Sequence, residues 1–94
     1  MSSTIERLAA VIAERRAHPT PGSYTCKLFA GGPALAARKV GEEAVEAVVA
    51  ALAEDDRRLI EESADVVYHL LVLLASRGLS WQDVEQELQR RAHQ

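Results

Sequence analysis

Between Val66 and Ala75 the sequence reads Val-Val-Tyr-His-Leu-Leu-Val-Leu-Leu-Ala, which is apolar all the way round a helix. A helix without a polar face has to be covered on every side. The chain has only 94 residues with which to do so. A domain of this size buries only about two thirds of the surface that its unfolded form exposes. The other predicted helices are too short to surround the segment easily. The sequence therefore predicts a homodimer whose core is this helix and its symmetric copy. A well-covered central helix in a monomer is the simpler alternative. The apolar run is about half the length needed to cross a bilayer, so no membrane partner is expected.

The rest of the chain reads as helix too. Only four residues are aromatic (Tyr24, Phe29, Tyr68, Trp81), and β-branched alternation is absent. Ser3, three residues before Glu6, has the spacing of a capping box, and Ile5, Leu8 and Ile12 follow at helical spacing. The pattern stops near His18, before Pro19 and Pro21. Residues 18–33 hold three prolines and three glycines and read as a loop, with a short turn of helix near Tyr24 to Phe29. A second helix is expected from Pro33 to Leu52. A third, capped by Asp55 or Asp56, runs to Arg77 with Gly78 as its stop. A fourth is capped by Ser80, with Asp83 in the box position. Trp81 is expected to pack that last helix down. The predicted class is all-α: one domain over residues 1–94, a bundle of four to five helices completed by dimerisation.

Charge is unevenly placed. Residues 42–65 carry nine acids and two bases, a net −7 in a chain whose total is −3, so the remainder is +4. A pI of ≈ 5.6 argues against nucleic acid as a partner. The single Cys26 excludes an internal disulfide and a multi-cysteine metal site, and a free thiol fits a cytoplasmic location. Residues 1–16 have charges spread through them and do not read as a signal peptide.

The acids fall into two motifs, Glu42-Glu43-Ala44-Val45-Glu46 and Glu61-Glu62-Ser63-Ala64-Asp65. Each contains an i, i+3 pair, Glu43 with Glu46 and Glu62 with Asp65, which a helix places on one face. Two antiparallel helices joined by a short turn bring four carboxylates to one small volume. Such a group repels itself, and burial worsens the repulsion. Carboxylate oxygens without cysteine or histidine partners suit a hard cation, Mg²⁺ or Mn²⁺. Mg²⁺ usually shares itself with substrate phosphates, so the expected substrate is a phosphorylated small molecule and the expected nucleophile a metal-positioned water. Val45, Val48, Val49 and Leu52 form a stripe on the side of the helix opposite Glu43. Arg15, Arg16, Lys27, Arg38 and Lys39 are available to phosphates. Lys39 sits on the acidic face, where a salt bridge to Glu43 is the plainer reading. Ser23, Tyr24 and Thr25 offer hydroxyls, with turn chemistry as the alternative. His69 reads as a core histidine with one hydrogen bond, and Cys26 as a small apolar filler.

A resemblance sharpens this picture. Ser23-Tyr24-Thr25, Lys27-Leu28 and Gly32 are followed by Arg38-Lys39-Val40-Gly41-Glu42-Glu43-Ala44-Val45-Glu46. Then comes Glu62-Ser63-Ala64-Asp65-Val66-Val67-Tyr68-His69-Leu70-Leu71. Together they resemble the phosphoribosyl-ATP pyrophosphohydrolase family of histidine biosynthesis, over about residues 5–91. The paired acidic motifs alone are shared with the wider all-α nucleotide pyrophosphohydrolases. The Ser-Tyr-Thr loop and the Tyr-His pair point to this branch.

The resemblance implies a dimeric all-α fold, Mg²⁺, and hydrolysis of phosphoribosyl-ATP to phosphoribosyl-AMP and pyrophosphate. It makes Glu43, Glu46, Glu62 and Asp65 metal ligands, with Glu42 a further ligand or the base that deprotonates water. Lys39 and residues Ser23, Tyr24 and Thr25 become substrate contacts, joined by Arg38 and Lys27. Members often carry another lysine where this chain reads Pro33 to Ala37. The chain also lacks the cysteines of the cyclohydrolase to which the activity is often fused, so a single step is expected. Two alternatives stand beside this one: a house-cleaning nucleoside triphosphate pyrophosphohydrolase, and a helical dimerisation module without activity.

Overall fold

The computed structural model describes residues 2–92. Among them are five helices and no strand: α1 (Thr4–Ala17), α2 (Tyr24–Ala30), α3 (Gly32–Ala53), α4 (Asp56–Ser76) and α5 (Trp81–Ala92). The expected single turn near Tyr24 is a complete seven-residue helix. No helix among the described residues is long and apolar enough to cross a membrane.

Side-chain caps start most of the helices. Ser3 Oγ accepts from the Glu6 N–H, Ser23 Oγ from the Cys26 N–H, and Asp55 Oδ1 from the Arg58 N–H. Ser80 and Asp83 bond reciprocally at the start of α5. The α4 helix ends at Gly78, whose φ of 72° is the left-handed conformation that glycine adopts without strain. There the Gly78 N–H bonds the Ala75 carbonyl and the Leu79 N–H bonds that of Leu74, which satisfies the last carbonyls. The Ala75 carbonyl also accepts from Arg16 Nη1 at 2.5 Å, tying α1 to the end of α4.

The α3 and α4 helices form the main packing pair, joined by Glu54 and Asp55 alone. A turn this short makes them antiparallel neighbours. The buried core consists of Ile12, Leu28, Ala36, Leu71 and Val72, contributed by the first four helices. Trp81 packs against it, as expected of that residue. Cys26 does more than fill space: its sulfur accepts from the Thr20 N–H and donates to the Arg15 carbonyl, linking the loop to α1.

One chain buries His69, Leu71 and Val72 of the apolar run of α4 and leaves its other residues half-buried, and the most open apolar side chains lie elsewhere. The α1, α2 and α3 helices cover much of the apolar run of α4, leaving Leu71 and Val72 at most 3% exposed. Open surface lies instead on α3, where Val45, Val48 and Val49 are about half exposed and Leu52 is 83% exposed. Ile60 adds to the exposed apolar surface from α4.

Leu28 joins the short α2 helix to this core and is 1% exposed. Leu28→Ala is expected to cost about 3 kcal/mol, the usual range for a cavity of that size. Chemical denaturation measures it.

Candidate active site

The turn at Glu54 and Asp55 brings the two acidic motifs side by side. Glu43 on α3 and Glu62 and Asp65 on α4 each offer an oxygen, and these atoms lie within 4.8 Å of one another. Glu62 is 4% exposed. Its Oε1 accepts from Arg58 Nη2 at 2.6 Å. Its Oε2 and the Oε2 of Glu43 are buried without a hydrogen-bond partner. An unpartnered carboxylate oxygen in the interior is costly. Two of them in one group of three acids fit a hard, oxygen-seeking cation.

Glu46, the fourth expected ligand, is not among the three. It lies beside Glu62, and with Val49, Glu54, Arg58 and Glu62 it lines a cleft of ≈ 250 Å³. Burial, and then this contact with Glu46, push the Glu62 carboxyl above its ordinary range.

The cations are arranged differently from the sequence expectation. Lys39 pairs with Glu42 at 3.2 Å rather than with Glu43, and Arg38 reaches the same carboxylate at 3.4 Å. Glu42 is thus held by two bases and stands outside the three-carboxylate group. Its hydrogen bond holds the Lys39 ammonium above its usual pKa. Lys27 lies on the exposed side of the last turn of α2.

The Ser-Tyr-Thr segment is not a free loop. Ser23 caps α2, and the next two side chains reach α4. The Tyr24 hydroxyl bonds His69 Nε2 at 2.9 Å, and Thr25 Oγ1 bonds the Tyr68 hydroxyl. The rings of Tyr24 and Tyr68 stack at 6.2 Å between centroids. His69 is buried as expected but makes two hydrogen bonds, the second from Nδ1 to the Asp65 carbonyl at 2.7 Å. A residue that the sequence reading left out of the site is Arg58, which holds Glu61 at 2.7 Å as well as Glu62. Its spacing of four from Glu62 was the available signal.

Comparison with known proteins gives a consistent picture. A model of the family described as phosphoribosyl-ATP pyrophosphohydrolase matches residues 5–92. The phosphoribosyl-ATP pyrophosphatase of Pyrobaculum aerophilum is 60% identical over 86 residues, covering 92% of each chain. That of Metallosphaera sedula is 50% identical over 91 residues, covering 97% of this chain and 98% of its own. That of Rhodobacter capsulatus is 49% identical over 90 residues, covering 96% and 87%.

The raised pKa of Glu62 has a definite sign. The folded protein holds this proton more tightly than the unfolded chain, whose carboxyl titrates near 4.5. The stabilisation is fully present below that value and is lost as pH rises through the folded pKa. In EDTA, Glu62→Gln is therefore expected to melt above wild type at about pH 7, with the difference closing toward about pH 4. Thermal melts at both pH values check this; a difference independent of pH contradicts it.

Proposed function

The chain belongs to the phosphoribosyl-ATP pyrophosphohydrolase family and is a hydrolase, and on that basis we propose that it splits phosphoribosyl-ATP between the α and β phosphates. The products are phosphoribosyl-AMP and pyrophosphate, in the second step of histidine biosynthesis. The observation that carries this reading is the carboxylate group of Glu43, Glu62 and Asp65, with its two buried oxygens that lack a partner. A cytoplasmic location accords with a small-molecule substrate and a free thiol.

Glu43, Glu62 and Asp65, with Glu46 beside Glu62, hold Mg²⁺, and the same oxygen set accepts Mn²⁺. When bound, the ion neutralises charge on the phosphates and lowers the pKa of a water molecule. Glu43 carries an unpartnered oxygen into this group and serves as a ligand. Glu42, adjacent in sequence and held by Arg38 and Lys39, is assigned the proton of the attacking water. A phosphate that enters draws Arg38 and Lys39 toward its own oxygens, which releases Glu42 for that task. Lys27 and the segment Ser23, Tyr24 and Thr25 border the substrate from α2.

The reading also includes a homodimer. Val45, Val48, Val49 and Leu52 make an apolar stripe on α3. Apolar patches of this kind mark interaction surfaces. A second copy supplies a matching stripe by symmetry. The stripe lies on the same helix as Glu43 and Glu46, so the interface braces the element that carries half of the acids.

Glu43→Gln is expected to lower turnover of phosphoribosyl-ATP by about a hundredfold or more, and to abolish the rise in melting temperature on adding Mg²⁺ with a phosphorylated ligand. Wild type is expected to prefer phosphoribosyl-ATP over ordinary nucleoside triphosphates by at least about a hundredfold in kcat/KM. Equal rates across such a panel favour the house-cleaning alternative. Light scattering at micromolar concentration is expected to give twice the 10.3 kDa chain mass for wild type. Val48→Asp shifts it to the monomer, and a monomeric wild type overturns the dimer.

A further inference from the structure

His69 lies one turn beyond Asp65 on α4 and is 5% exposed. Its Nδ1 faces the Asp65 carbonyl oxygen, which can only accept, so Nδ1 carries the ring proton. In the neutral ring Nε2 is then an acceptor. The hydroxyl of Tyr24, 2.9 Å away, has one proton and donates it there. What the phenol oxygen has left to offer is lone pairs.

The position of that oxygen gives the arrangement its consequence. Tyr24 is about half exposed, so its outer side is open to a ligand. Its ring is fixed by stacking on Tyr68, and Thr25 is bonded to the Tyr68 hydroxyl next door. The His69 ring links the Tyr24 hydroxyl to the backbone carbonyl of Asp65, one of the three grouped acids. Tyr24 is thereby tied to the carboxylate group through α4, with its one proton spent there.

We propose that His69 is a positioning residue acting through Tyr24: its Nε2 accepts the phenol's hydrogen bond and leaves the oxygen facing the site as an acceptor only. Its partner is a hydrogen-bond donor of the substrate, a sugar hydroxyl, and not a phosphate oxygen. The identity of the substrate rests on the function proposed above; the state of the ring and of the phenol does not.

Two measurements test this. The first is the ¹⁵N spectrum of the His69 ring in the metal-free protein. It is expected to show Nδ1 protonated and Nε2 a hydrogen-bonded acceptor, with the Nε2 signal moving in Tyr24→Phe. A protonated Nε2, or an Nε2 signal indifferent to Tyr24→Phe, overturns the proposal.

The second is kinetic. His69→Leu and Tyr24→Phe are each expected to raise KM for phosphoribosyl-ATP about tenfold, with kcat changed less than about twofold. The double variant is expected to be no worse than either single one, because both remove the same contact. His69→Gln, whose carbonyl can accept the phenol's hydrogen bond, is expected to restore most of the loss. Additive losses, or a Gln variant as poor as Leu, overturn the proposal. If His69→Leu does not fold, Tyr24→Phe, His69→Gln and the spectrum still decide. If wild type fails to hydrolyse phosphoribosyl-ATP, the proposed function falls while the spectrum still judges His69.

Discussion

Three carboxylates held within 4.8 Å of one another repel, and nothing about the acids themselves keeps them together. The restraint comes from the packing of α3 against α4 and from the two-residue turn between them. Buried alanines at positions 36 and 50 on α3 keep the inner side of that helix slim. Arg58 takes one oxygen of Glu62 and leaves the other unpartnered. The hairpin thus holds an electrostatic tension that a hard cation would relieve, and hydrophobic contact elsewhere in the core keeps it in place.

The second organising contact is the seam between α2 and α4. Tyr24 and Thr25 meet His69 and Tyr68, consecutive residues against consecutive residues. This seam begins one turn past Asp65, so the start of α2 is anchored on the same helix as two of the acids. Leu28 buries the other side of α2 in the core. The placement of Tyr24 relative to the carboxylates is therefore set by side-chain packing and not by the preceding loop.

Much of this was legible in the chain. Capping spacings at Ser3, Asp55 and Ser80, the stop at Gly78 and the paired acids are local signals, and local signals survive folding. Of the four acids that the sequence places together, Glu43, Glu62 and Asp65 meet, because helical periodicity and one short turn are enough for that, while Glu46 stands outside the group. What was not legible depends on partners distant in sequence. Lys39 could reach Glu42 or Glu43 from the same helix face, and only the packed structure chooses Glu42. The apolar run at residues 66–75 demanded cover, but periodicity cannot say which neighbour supplies it. Here α1, α2 and α3 do, and the bare stripe falls on α3. His69 looked like a core residue because nothing near it in sequence announces Tyr24, 45 positions away.

The brevity of the link between α3 and α4 bears on how such a molecule can change. The three grouped acids sit in one continuous stretch of chain, and their meeting requires only a local loop to close, which costs little entropy. The α2 residues come from a different stretch, joined to α4 by two side-chain hydrogen bonds and a small apolar contact. On the proposed function, metal chemistry and substrate choice are thus written in separable parts of a very short sequence. Substitutions between residues 18 and 31 can redraw what is recognised while the carboxylate hairpin stays as it is.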